Sequence, residues 1–262
     1  MPEILETDIC VIGAGSGGLS VAAAAAGFGV PVVLIEKGRM GGDCLNYGCV
    51  PSKALIAAAR RAADFATSAE FGVAAGKPKV DFVQVRDHVR GVIAAIAPND
   101  SKERFGGLGV RVIAGTARFK DAATVAVDNL EIKARRFVVA TGSSPAIPPI
   151  PGLTDTPYLT NETIFDLAEC PEHLVVIGAG PVGLELAQAF RRLGADVTVV
   201  EAAVPLAKDD AECAEVVLDQ LRRDGVVIRL GVVVTRVAHT DGTIRLVIAR
   251  GDGDETIDGT HL

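Results

Sequence analysis

No basic block occurs anywhere in the 262 residues, and the net charge is −7. Nucleic acid and anionic membrane surfaces are therefore excluded as partners, since both are held through clustered Lys and Arg. The first residues do not read as a secretory leader, because Glu3, Glu6 and Asp8 stand where a positive segment is needed. Long apolar runs are missing too. The apolar run Val21 to Ile35 falls short of the ~20 residues a membrane helix needs and is interrupted by Gly27, Gly29 and Pro31. Cysteine is scarce, five in all, and no second Cys/His pair with zinc spacing follows the one close pair, so no metal site is expected. These absences describe a cytoplasmic protein. With 49% hydrophobic residues, a chain of this length can bury a large core, and two domains are expected.

What is present is a repeat. The first copy runs through a strand Asp8 to Ile12, the turn Gly13-Ala-Gly15-Ser-Gly-Gly18, an alanine-rich helix to Ala26 and a strand Val32 to Glu36. The second runs through Leu174 to Ile177, the turn Gly178-Ala-Gly180-Pro-Val-Gly183, a helix to Leu193 and a strand Val197 to Glu201. In both, 23 positions separate the first glycine from the terminal acid. A lone GxGxxG is a weak signal. Here each copy follows a strand, opens a helix and ends on an acid, which is the full context of a dinucleotide-binding βαβ unit. The three glycines allow a tight turn, close approach of a pyrophosphate and close helix packing, and the helix start receives the phosphate charge. Glu36 and Glu201 are the expected ribose acceptors; a solvated acid at a strand end is the other reading of either one. The expected class is α/β, with two Rossmann-like domains, residues 1–150 and 151–262, joined by the proline-rich crossing Pro148 to Gly152. Between the repeats, one helix from about Asp81 to Phe105 precedes strands Val110 to Ala114, Thr124 to Val127, Leu130 to Ala134 and Phe137 to Thr141. After Glu201 come a helix Asp209 to Arg223, a strand Val226 to Ile228 and a β-pair within Val232 to Ala249.

Just past Glu36 lies Gly41-Gly42-Asp-Cys44-Leu-Asn-Tyr-Gly-Cys49-Val-Pro-Ser-Lys53. This spacing reads as a redox-active disulfide. Cys49 precedes a helix with proline in its first turn, where the macrodipole and free N–H groups favour a thiolate; Lys53, four residues on, adds positive charge on the same face. Gly48 relaxes the backbone so that Cys44 can fold back toward Cys49. Two ordinary buried thiols, or half of a zinc site, are the alternatives. In a cytoplasmic protein a close pair points to catalysis rather than to a structural bridge.

These motifs, together with Gly115-Thr-Ala117-Arg-Phe119, Ala140-Thr141-Gly142 and the run from Gly178 to Glu185, resemble the class I pyridine nucleotide-disulfide oxidoreductases, the family of dihydrolipoamide dehydrogenase, glutathione reductase and mercuric reductase. The resemblance implies FAD on the first repeat, held by Gly13, Gly15, Gly18, Glu36, Lys37, Gly41, Gly42, Lys53, Ala117, Ala140, Thr141 and Gly142. It implies a nicotinamide cofactor on Gly178, Gly180, Gly183 and Glu201. It also implies hydride transfer from nicotinamide to FAD and on to the Cys44–Cys49 disulfide, with Cys49 against the flavin, Cys44 exchanging with the substrate, and Lys53 ion-paired with Glu185 beside the flavin. A helix-surface acid is the other reading of Glu185. NAD(H) is expected over NADP(H), because Glu201 repels a 2′-phosphate and Ala202 to Ala207 supply no cation, Lys208 being the nearest.

The stretch Leu184 to Phe190 looks most like mercuric reductase, so the expected substrate is a small-molecule disulfide or mercuric ion. Asp43, where many members have threonine, and Tyr47 depart from the family pattern. The sequence stops at Leu262, before the family's Gly-Asp motif and the dimerisation domain that supplies an acid-base histidine. Both domains are accordingly expected to be incomplete, the chain alone not to be fully active, and the homodimer to belong to the full-length form. A dinucleotide-binding fragment without turnover is the alternative. His88, His173, His239 and His261 read as ordinary surface or strand residues.

Overall fold

The computed structural model describes residues 3–73, 76, 78–251 and 253–262. Two compact units form, Met1–Pro51 with Arg90–Pro145, and Ser52–Val89 with Ala146–Leu262.

In the first unit β1 (Glu3–Ile12) leads through α1 (Ser16–Gly27) to β2 (Val32–Glu36). The five residues of β2 are apolar up to Glu36, and buried side chains alternate between two clusters. Val32 and Leu34 join Val11, Leu19 and Phe105, while Val33 and Ile35 join Cys10, Val125 and Ile132. A strand covered on both faces needs such an unbroken apolar run. Each buried Leu or Ile contributes about 1.5–3 kcal/mol. Short α2 (Gly42–Asn46) and long α3 (Cys49–Thr67) follow, and α3 passes into the second unit.

The single helix expected over 81–105 is in fact three pieces, α4 (Phe82–Ile96), a tight turn Ala97–Asp100, and α5 (Lys102–Gly107). Pro98 explains the break, since its ring excludes the helical hydrogen bond at that point. Ser101 then starts α5 afresh, its Oγ accepting the Arg104 N–H at 3.1 Å. Next come β3 (Arg111–Ala114), β4 (Arg118–Asp121), β5 (Thr124–Val127) and β6 (Leu130–Val139). The last merges two strands that the sequence suggested were separate. Sheet order is β3-β2-β1-β6-β5-β4, with β3, β2, β1 and β6 parallel and the β6-β5-β4 ribbon antiparallel.

The second unit repeats the first plan. β7 (His173–Ile177), α6 (Pro181–Leu193), β8 (Asp196–Glu201), α7 (Ala211–Arg223) and β9 (Val227–Leu230) make a parallel sheet ordered β7-β8-β9. An antiparallel sheet follows, β10 (Val233–Thr240), β11 (Thr243–Arg250) and β12 (Gly253–Gly259). β12 is one strand more than the sequence indicated, its segment being dominated by Gly and acids. Val175 and Val200 of the parallel strands share a core with Val237, Ile244, Leu246, Ile248 and Leu262. His261 closes the unit, its carbonyl accepting the Val175 N–H at 2.9 Å. Among the described residues no helix is long and apolar enough to cross a membrane.

Candidate active site

The two glycine turns fold alike. Gly13 sits at φ +105° and Gly178 at φ +107°, backbone that L side chains rarely adopt. A Cβ on Gly18 would lie 1.8 Å from the Gly13 oxygen, and one on Gly183 would lie 2.4 Å from the Gly178 oxygen, so each helix starts hard against its turn. Gly15 and Gly180 cap α1 and α6 in extended conformation without a side-chain hydrogen bond, and neither first turn holds an acid. The free N–H groups of both helix starts are thus left for an external anion.

Glu36 and Glu201 end the strands beside these turns, and each carboxylate already has two backbone donors. Glu36 accepts the N–H of Ala14 at 2.6 Å and of Gly38 at 2.6 Å. Glu201 accepts the N–H of Ala179 and of Ala203, both at 2.8 Å. The sequence marked these glutamates as ribose acceptors and carried no sign that they also brace the turn. Four lone-pair directions per carboxylate leave room for ribose hydroxyls as well. Around the first turn, Ala140 donates its N–H to the Ile12 carbonyl at 2.8 Å, and its own oxygen lies where a Gly13 Cβ would come within 2.2 Å. Thr141 and Gly142 (φ +68°) follow in the open, Lys37 is exposed, and half-buried Ala117 packs on the core that includes Val125.

The thiol-bearing segment is set on the first turn by backbone alone. Gly41 donates its N–H to the Ala14 carbonyl at 2.9 Å, and a Cβ on Gly42, at φ +56°, would come 2.6 Å from the Gly15 α-carbon. Asn46 Nδ2 then donates to the carbonyls of Met40 and Gly42, at 3.1 and 2.8 Å. Cys44 lies within α2, and Cys49 is the first residue of α3. Gly48 serves by lacking a side chain rather than by left-handed backbone: a Cβ there would fall 2.8 Å from Asp43 Oδ2 and 3.4 Å from the Cys44 α-carbon. Both cysteines are unbridged, two thiols where the sequence reads a disulfide. The Cys44 thiol is pushed up to about 11, first by its hydrogen bond to Cys49 and then by burial, with the negative charge of Asp100 adding to the effect. Cys44 therefore keeps its proton, while Cys49 is the exposed member of the pair.

Inside the second unit, Lys53 Nζ meets Glu185 Oε2 at 2.6 Å, across 132 positions of sequence. The side chains are 61% and 41% exposed, so the pair adds only about 0–1 kcal/mol and matters by where it fixes the charge. His173 Nε2 is 2.9 Å from Thr198 Oγ1 between β7 and β8, and His261 Nδ1 is 3.0 Å from Thr260 Oγ1 just past β12.

A family model described as pyridine nucleotide-disulphide oxidoreductase matches residues 7–261. The mercuric reductase of Streptomyces lividans is 33% identical, over 97% of this chain and 55% of that protein. The dihydrolipoyl dehydrogenase of Haloferax volcanii is 36% identical, over 95% of this chain and 54% of that protein. Among solved structures, the HOCl-induced flavoprotein disulfide reductase of Escherichia coli aligns with a TM-score of 0.82 at 28% identity, covering 97% of this chain and 55% of that one. The chain spans about half the length of the curated relatives it matches.

Proposed function

Because the chain belongs to the pyridine nucleotide-disulphide oxidoreductase family, we propose that it forms the nucleotide-binding and thiol-bearing part of an FAD-dependent, NADH-driven reductase of a small-molecule disulfide or of mercuric ion. The observation that carries this reading is the seating of Gly42 on Gly15, which fixes the cysteine-bearing α2 directly on the first dinucleotide turn. Both turns suit a dinucleotide, with uncapped helix starts for the pyrophosphate and a braced carboxylate for the ribose. FAD is assigned to Gly13, Gly15, Gly18 and Glu36, and NADH to Gly178, Gly180, Gly183 and Glu201. A 2′-phosphate would meet the Glu201 charge with no cation between Ala202 and Ala207 to offset it.

A flavin held on the first turn would supply the relay of an electron pair from a nicotinamide hydride to the Cys44–Cys49 disulfide, which takes up two protons and opens to the two thiols. The remaining steps belong to this chain. Cys44 attacks as its thiolate, after giving its proton to solvent. Attack on a substrate disulfide forms a mixed disulfide at Cys44 and releases one substrate sulfur, which takes up a proton. Cys49, losing its proton in turn, then attacks the Cys44 sulfur, closing the Cys44–Cys49 bond and releasing the second substrate sulfur, which takes up that proton. Glu185 holds the Lys53 charge in a fixed place. A homodimer as the working form and a cytoplasmic setting are parts of the same proposal.

The test is the absorbance of the purified chain with FAD, before and after anaerobic NADH. Reduction is expected to bring up a long-wavelength thiolate-to-flavin band. Cys49→Ser is expected to abolish that band, and Cys44→Ser to show it without reductant. Wild-type spectra from both variants would make the cysteines structural.

A further inference from the structure

Asn46 lies between the two cysteines, and its side chain reaches back out of the loop that joins them. Nδ2 donates to the Met40 carbonyl at 3.1 Å and to the Gly42 carbonyl at 2.8 Å. Both acceptors stand on fixed ground. Met40 packs against the core that holds Val11 and Leu19, Gly42 is seated on Gly15, and Gly41 between them donates its N–H to the Ala14 carbonyl at 2.9 Å. Tyr47 adds two ties of its own, its N–H on the Asp43 carbonyl at 2.8 Å and its ring under Arg39, 5.9 Å from the centroid. Within this frame the Cys44 thiol is hydrogen-bonded to Cys49. The two thiols are thus neighbours before any bond joins them.

We propose that Asn46 is a positioning residue of the thiol pair, whose two hydrogen bonds hold the loop in the shape that keeps Cys44 beside Cys49 and so favour closure to the disulfide. The inference rests on the redox reading of Cys44 and Cys49 given above. A loop free to wander must be ordered before its ends can bond, and that lost entropy opposes closure. Once the sulfurs are bonded, the covalent link confines the loop by itself. The Asn46 hydrogen bonds therefore order the dithiol more than the disulfide, and losing them frees the dithiol more.

The experiment equilibrates the 262-residue chain with mixtures of reduced and oxidised dithiothreitol at pH 8, traps free thiols by alkylation and counts them by mass. In this exchange Cys44 and Cys49 lose two S–H bonds and gain one S–S bond. Oxidised dithiothreitol takes the two electrons and two protons as its own S–S bond breaks. Asn46→Leu keeps the size of the side chain and removes both donors without altering any charge; it is expected to shift the equilibrium about three- to tenfold toward the protein dithiol, about 15–30 mV. A residue that only supports the fold weakens both forms alike, lowering the urea midpoint and leaving the exchange constant within twofold of wild type. That result overturns the assignment, and so does a shift toward the disulfide. Should Asn46→Leu fail to fold, as read by circular dichroism, Asn46→Ser, which cannot make both bonds, is held to the same limits. If the wild-type cysteines do not close on each other at any ratio, the redox reading itself fails and takes this inference with it.

Discussion

Removing the Glu201 carboxylate leaves two backbone N–H groups, those of Ala179 and Ala203, without their acceptors. Ala179 is fully buried, so its stranded donor costs about 1–3 kcal/mol, whereas the exposed Ala203 N–H can turn to water. Glu201→Ala is therefore expected to lower unfolding free energy by about 1–3 kcal/mol with no nucleotide present. Glu201→Gln, which keeps an amide oxygen, should lose less. Urea denaturation of the nucleotide-free protein measures both, and a Glu201→Ala protein as stable as wild type would leave ribose binding as the only task of the residue. This second task was hidden in the sequence. A strand-ending acid 23 positions after a glycine announces a ribose contact, but nothing in the letters says which backbone groups reach it first. Gly42 was similar, recognisable as part of a motif but not as the residue whose missing side chain lets two backbone segments touch.

At the scale of elements, both βαβ units were legible within a residue or two except at the start of β1, which begins at Glu3 rather than Asp8, because glycine turns, apolar strands and alanine-rich or amphipathic helices agree locally. Elsewhere tertiary contacts decided. Pro98 split a helix that apolar periodicity alone would continue, and β12 formed from a polar segment because β11 offers it a full antiparallel register. α2 has no counterpart among the expected elements, since a single helical turn carries no periodic signal. The β12 end also supplies a pH dependence. Burial at the edge of β7 keeps the His261 imidazole below its ordinary value of 6.5, so the folded state binds fewer protons than the unfolded chain. The stability from this group is complete above pH 6.5 and is lost as pH falls from there through the folded-state value. Wild type is expected to lose more stability than His261→Asn between pH 7 and pH 5, read as the change in urea midpoint. Equal losses would free His261 of that role.

Over the whole molecule the two units repeat one plan, each with its own braced turn. A nucleotide at 100 times its dissociation constant stabilises what it binds by about 2.7 kcal/mol, and that gain should stay with the unit concerned. FAD is expected to slow amide hydrogen exchange in β1, α1 and β2. NADH is expected to slow it in β7, α6 and β8, and NADPH at the same concentration to do so less. Protection of α6 by NADPH equal to that by NADH would remove the assigned part of Glu201 in cofactor choice. The glutamate braces have a further meaning, in time rather than energy. A loop that must order itself around an arriving ligand slows capture, because only the ordered fraction of encounters succeeds. These turns hold their shape before any ligand comes, so the tempo of loading is set by how often a nucleotide arrives, and that tempo rises in proportion to its concentration.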